Sequence, residues 1–265
     1  MKTLALSWLA IVFTTSGAFA QILSPTGNKP PTKPEDTEVY EPLPKAVQAG
    51  KTFDVAPSDA VILFNGKNLD EWISTKDKSA AKWKVENGAF TVDKPSGDIQ
   101  TKKTFTNYQL HIEYLIPSYI TGSGQARGNS GIFLAATNGK AGGYEIQVLD
   151  GYNNENKTYV NGMVGSIYKQ SIPLVNPAKK AGEWNVYDII WTAPTFNDNG
   201  TVKTKARVTA FLNGVLVQNN YEVQGETAYI GSHEYVKHGP SPIKLQAHGD
   251  RSEPISYRNI WLREL

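Results

Sequence analysis

Short runs of alternating apolar and polar residues, each closed by a turn signal, recur along this chain with almost no stretch of helical periodicity. They cover residues 61–64, 83–85, 89–92, 98–104, 108–116, 132–135, 144–150, 185–192, 205–212, 215–218, 243–248 and 255–262, with a further short strand ending at Tyr168. Period-two alternation sends successive side chains to opposite faces of a strand. The intervening Glu86-Asn87-Gly88 and Asn213-Gly214 are hairpin turns, because both central residues of such turns need positive φ. Residues 118–128, rich in Gly and Ser, read as a long loop. Roughly a dozen short strands with regular punctuation predict an all-β sandwich or barrel.

Size allows that architecture. The chain has 265 residues, 40% of them hydrophobic and 11% aromatic, enough for one large core. The domain is expected over residues 58–265. Residues 21–57 carry seven prolines and few large apolar side chains, so they read as an extended linker or arm. Residues 1–20 combine Lys2, an apolar run and Ala18-Phe19-Ala20, the pattern of a cleavable signal peptide too short to span a membrane. With no cysteine, the chain has no disulfide, no thiolate ligand or nucleophile and no lipid-bearing cysteine after the leader. A periplasmic or secreted protein without a membrane anchor is expected. A net charge of +2 with 20% charged residues offers no electrostatic basis for nucleic-acid binding.

Two stretches place polar groups side by side on a strand. In 144–150, Tyr144, Ile146 and Val148 share one face while Glu145 and Gln147 share the other. An acid and an amide in mid-strand cost stability unless something pairs with them, so this face suits a ligand cleft. Asp150 closes the stretch on the Tyr144 side unless a bulge turns it back. In 243–248, Gln246 and His248 share a face opposite Leu245 and Ala247. Two such strands could line one groove; the bland alternative is a pair of hydrated outer faces. His233 and His238 lie in a polar loop without metal-ligand spacing and read as solvated. Trp83, Trp184 and Trp191 could stack on sugars but read more simply as core. No Walker loop, dinucleotide fingerprint, HExxH or GxSxG motif occurs.

Nine segments in order resemble the 3-keto-disaccharide hydrolase family, relatives of family 16 glycosidases. They run from Leu63-Phe64-Asn65-Gly66 with Trp72, through Trp83-Lys84-Val85-Glu86-Asn87-Gly88 and Gly128-Asn129-Ser130-Gly131-Ile132, to Tyr144-Glu145-Ile146-Gln147-Val148-Leu149-Asp150. Gly165-Ser166-Ile167-Tyr168, Gly182-Glu183-Trp184-Asn185, Leu212-Asn213-Gly214, Leu245-Gln246-Ala247-His248-Gly249 and Tyr257-Arg258-Asn259-Ile260 complete the set. The resemblance implies a concanavalin A-like jelly-roll β-sandwich of two antiparallel sheets. Where family 16 carries Glu-x-Asp-x-x-Glu, this chain has Glu145-x-Gln147-x-x-Asp150. Gln147 is an amide, and Asp150, a shorter acid roughly 13 Å from Glu145 even with a bulge in the strand, does not suit a carboxylate pair that must sit about 5–5.5 Å apart.

The family name implies a lighter demand. A ketone at C3 acidifies the C2 hydrogen, so one base, one acid and stabilisation of the enolate suffice for elimination of the C1 oxygen, and water then adds. Glu145 and His248 are the implied catalytic pair, in either order. Asn129, Gln147, Asp150, Tyr168 and Gln246 are candidates for holding sugar hydroxyls. Arg258 or a divalent cation could stabilise the enolate, although an ion pair on the last strand explains Arg258 equally. No cofactor and no metal ligand are indicated by the residues themselves. The expected partners are an oligosaccharide or glycoside and a sugar 3-dehydrogenase that supplies the ketone. A non-catalytic carbohydrate-binding jelly roll is the rival reading.

Overall fold

The computed structural model describes residues 30–139 and 142–265. The expected leader at residues 1–20 lies outside the described residues. The chain divides into two units, residues 1–46 and 47–265. The described part of the first holds a single 3-10 turn, Pro34–Thr37.

The second unit is a β-sandwich. One antiparallel sheet comprises β1 (Val61–Phe64), β3 (Lys84–Glu86), β4 (Ala89–Thr91), β6 (Tyr108–Leu115), β9 (Trp184–Thr192), β12 (Arg207–Leu212), β13 (Val215–Glu222) and β15 (Ser256–Glu264). Its strand order is β13-β12-β9-β6-β15-β4-β3, with β1 also against β15. The other sheet comprises β2 (Trp72–Ser74), β5 (Ile99–Thr101), β7 (Ser130–Phe133), β8 (Glu145–Val148) and β14 (Lys244–Leu245), in the order β2-β5-β14-β7-β8. A two-stranded ribbon, β10 (Thr195–Phe196) and β11 (Val202–Thr204), stands apart. The architecture is the expected jelly-roll sandwich of antiparallel sheets.

Alternation decides which side chains enter the core. On β9, Tyr187, Ile189 and Trp191 are fully buried, whereas Ile190 is exposed. On β8, Ile146 and Val148 pack inward with Ile132 of β7 and Leu245 of β14. Each such burial contributes about 1.5–3 kcal/mol. A one-residue slip of β8 would bury Glu145 and Gln147 in that core instead, so the register is strongly specified. Buried hydroxyls tie the sheets together. Tyr187 donates to the carbonyl of Gln147 at 2.7 Å, Tyr108 donates to that of Leu134 at 2.5 Å, and Ser130 and Tyr257 share a hydrogen bond of 2.8 Å. The Asn213-Gly214 turn has the two positive φ values, 53° and 78°, that a tight hairpin demands.

Three local expectations differ. Residues 160–168 form no strand; they contain a 3-10 turn at Val160–Gly162 and isolated bridges from Ile167 to Ile146 and Ser171. β14 stops at Leu245 instead of His248, because the next ladder donor, the amide of Ala247, bonds the Asp98 carboxylate at 2.8 Å. The β10–β11 ribbon carries no alternation long enough to read.

Candidate active site

The outer face of the five-stranded sheet carries a cavity of about 1230 Å³, on the scale of ligand-binding clefts. Pairing builds its floor. Across the sheet, Glu145 of β8 stands beside Phe133 of β7, which stands beside Lys244 of β14. The next row is Gln147, Gly131 and Gln246, the last held by its amide to the carbonyl of Gly131 at 3.0 Å. β8 is the edge strand, and residues 165–168 close that edge. The amide of Gln147 bonds Ser166 O at 3.0 Å and that of Tyr168 bonds Glu145 O at 3.1 Å, which brings Tyr168 to the cavity. The loop around 226–236 supplies further wall, with Lys169 bonding the carbonyl of Tyr229 at 2.6 Å.

Glu145 is the central group. It is 5% exposed, and no described residue donates a hydrogen bond to its carboxyl. The carboxyl lies directly on Gly131, where a Cβ would stand 2.3 Å from Oε1. Burial pushes its pKa up to about 8; Lys244 acts in the opposite sense and Asp98 adds to the rise. Lys244 does not neutralise it, because its ammonium sits 3.6 Å from the centre of the Phe133 ring that stands between them, and 3.7 Å from Asp98. Burial thus favours the neutral, protonated form of this carboxyl.

Around it lies a set of hydrogen-bonding groups. Gln147 donates to Gln125 at 3.0 Å and to Gly162 O at 3.3 Å, which leaves its buried Oε1 without a partner among the described residues. Gln246 Oε1 is buried and unpartnered likewise. Buried amide oxygens are rarely left unpaired, so two of them facing a cleft suit the hydroxyls of a polyol. Asn129 donates to Gln125 O at 2.8 Å, and Gln125 in turn donates to Gly162 O at 2.8 Å and Thr158 at 3.0 Å. Tyr168 hydrogen-bonds Tyr159, with Lys169 above both rings and 4.1 Å from the centre of Tyr229. His248 lines the same cavity, and its Nδ1 lies 2.7 Å from Asp250 Oδ2.

Six expected site residues thus share one cavity: Asn129, Glu145, Gln147, Tyr168, Gln246 and His248. Two do not reach it. Asp150 is paired with Arg127 at 2.6 Å. Arg258 lies on β15 in the other sheet, paired with Glu113 at 2.6 Å and stacked 4.1 Å over Trp184, so its charge is committed there. His238 is not a solvated loop residue; it bonds the Tyr144 hydroxyl at 3.1 Å and packs against that ring. Trp83 and Trp191 are core. Gln125, Thr227 and Tyr229 carry no strand pattern and were not anticipated, although Thr227 fixes β8 by accepting the Glu145 amide at 2.9 Å. Among the described residues, no group of three His, Asp or Glu is placed to hold a metal ion.

Residues 59–263 match the family described as the 3-keto-alpha-glucoside-1,2-lyase-like domain. The chain belongs to this family. Among solved structures, a candidate glycosyl hydrolase from Parabacteroides distasonis ATCC 8503 is 55% identical, with a TM-score of 0.81 over 88% of this chain and 97% of that one. A second candidate glycosyl hydrolase from that organism, 21% identical, shares the fold with a TM-score of 0.55 over 78% of this chain and 94% of that one. No curated protein matches the chain. The cavity holds two buried acids, Glu145 and Glu226, and the second of them is bonded by the Thr137 hydroxyl.

Proposed function

We propose that this family member cleaves 3-keto-glycosides, 3-keto-disaccharides among them, by removal of the C2 proton, β-elimination of the C1 oxygen and hydration of the resulting enone. The observation that carries the reading is the unpaired, buried Glu145 carboxyl facing the same cavity as His248. One proton donor and one proton acceptor on a single sugar-sized floor meet the needs of an α-proton abstraction. The retaining-glycosidase alternative needs a second carboxylate near Glu145; its positional counterpart Asp150 is bound to Arg127, and the cavity's other buried acid, Glu226, is engaged by the Thr137 hydroxyl. The orphan oxygens of Gln147 and Gln246 hold sugar hydroxyls in this account, with Asn129 and Tyr168 along the wall. The ketone must come from a sugar 3-dehydrogenase acting first, and the leader pattern puts both steps in the periplasm or outside the cell. Among the described residues, no helix is long and apolar enough to cross a membrane.

A carbohydrate-binding module is the second reading, favoured by Tyr229, which is 70% exposed at the cavity rim and offers a stacking platform. Purified protein incubated with a 3-keto-disaccharide and with its unoxidised parent separates these. Release of sugar from the ketone alone supports the proposal. Binding of both without release favours the module, and release from the parent favours ordinary glycoside hydrolysis.

A further inference from the structure

His248 and Glu145 are not interchangeable in this site, and the difference lies in what stands behind each. Behind His248 is Asp250, whose side chain is 3% exposed. Asp250 Oδ1 accepts from Lys94 Nζ at 2.9 Å and from the Ser252 amide at 2.7 Å, and it also bonds the Ser252 hydroxyl. Lys94 is itself pinned to Asp250 O at 3.0 Å and Ser252 O at 2.7 Å. Burial acts to raise the Asp250 pKa, but the bonds from Ser252, Lys94 and His248 outweigh it and hold the group as a carboxylate. A carboxylate only accepts, so His248 Nδ1 must carry the hydrogen in their 2.7 Å bond. Neutral imidazole then presents its lone pair at Nε2, for which no described residue is a partner, and His248 lines the cavity. Glu145 has the opposite setting: no described donor to its carboxyl, a lysine engaged with Phe133 and Asp98 instead of with it, and burial that favours its protonated form.

We propose that, within the elimination chemistry put forward above and resting on it, His248 is the base, Asp250 is the positioning residue that fixes its tautomer, and Glu145 is the acid. His248 Nε2 takes the C2 proton, and the C–H pair forms the enolate of the C3 ketone. That pair then makes the C1=C2 bond as the C1–O bond breaks, and Glu145 gives its proton to the departing oxygen. In hydration the roles reverse. The Glu145 carboxylate takes a proton from water as the water oxygen bonds C1, and the His248 imidazolium, stabilised by Asp250 and exchanging its proton with solvent while the alcohol leaves, gives a proton to C2. The sum is substrate plus water giving a 3-keto-sugar and a free alcohol, with both residues restored.

The test follows deuterium entering C2 of a 3-keto-disaccharide in heavy water, alongside cleavage. Glu145→Gln is expected to keep exchange within about tenfold of wild type while cleavage falls about 10²–10⁴-fold, and His248→Ala to lose exchange by about 10²–10⁴-fold, with partial rescue by added imidazole. Asp250→Asn is expected to lower exchange about 10²-fold with KM little changed. Nitrogen-15 NMR of the wild-type protein, which needs no Asp250 variant, is expected to show His248 protonated at Nδ1. Exchange lost in Glu145→Gln but kept in His248→Ala, or a neutral His248 protonated at Nε2, overturns the assignment of roles. Wild-type protein inert towards every 3-keto substrate overturns instead the function on which it rests.

Discussion

A missing side chain makes room for the central acid. Gly131 faces the cavity between Gln147 and Gln246, and the Glu145 carboxyl occupies the space its Cβ would take. The Gly131→Ala substitution is therefore expected to cost about 1–3 kcal/mol of stability, the usual cost of overpacking. Its larger effect is on turnover. Displacing the carboxyl by about an ångström is expected to lower kcat on the order of 10²-fold. Denaturant unfolding and steady-state rates on the same variant check both halves; an alanine enzyme with wild-type kcat would show that the carboxyl need not lie there. Glu145, Gln147, Gln246 and His248 were legible in the sequence because strand parity alone puts each pair on one face. Asp150 and Arg258 were not. Where their charges are spent depends on Arg127 in a loop and Glu113 on another strand, contacts that no local pattern encodes.

Among the elements, β6 shows what the sequence left obscure. Its pattern suggested one buried face, yet His111 and Glu113 on the other face are also buried. His111 Nδ1 lies 2.8 Å from Asp188 of β9, its ring stacks 4.9 Å from Trp261 of β15, and Glu113 takes bonds from Arg258 and Asn259. Backbone from residues 47–58 closes over this cluster, with Asp54 O accepting from Asn259 at 2.8 Å and Trp261 at 3.2 Å. Burial would lower the His111 pKa, but the bonds to Asp188 and Glu113 prevail and raise it to about 9. A histidine raised from about 6.5 to about 9 adds stability that is complete below pH 6.5 and lost as pH rises through 9. The protonated cluster is thus worth about 3 kcal/mol at pH 6. His111→Phe, which keeps the stack on Trp261, is expected to be destabilised by that order at pH 6 and by much less at pH 9.5. Unfolding midpoints at the two pH values decide it, and an equal gap at both would show that His111 is neutral in the folded protein. β14 teaches a complementary lesson: the alternation through Gln246 and His248 survived although the regular strand ended at Leu245, because Gln246 still pairs with Gly131.

At the scale of the whole molecule, the sandwich separates two jobs. The eight-stranded sheet and its buried ion pairs hold the frame, and the outer face of the five-stranded sheet carries the cavity. The all-β class and most strands could be read from alternation and turn residues, since each is a local signal. The order of strands, the loop wall around 226–236 and the assembly of the cavity could not, because they come from pairings such as Gln100 with Lys244 across more than a hundred residues. In the proposed function, this floor breaks a glycosidic bond by elimination and hydration and not by displacement at C1. Cleavage of a 3-keto-disaccharide in heavy water, followed by mass and NMR analysis of the released 3-keto-sugar at early times, tests it directly. One deuterium at C2 of the product, beyond the level that the free 3-keto-sugar acquires under the same conditions, is expected for elimination and hydration. Rapid cleavage that leaves the C2 hydrogen in place would contradict it.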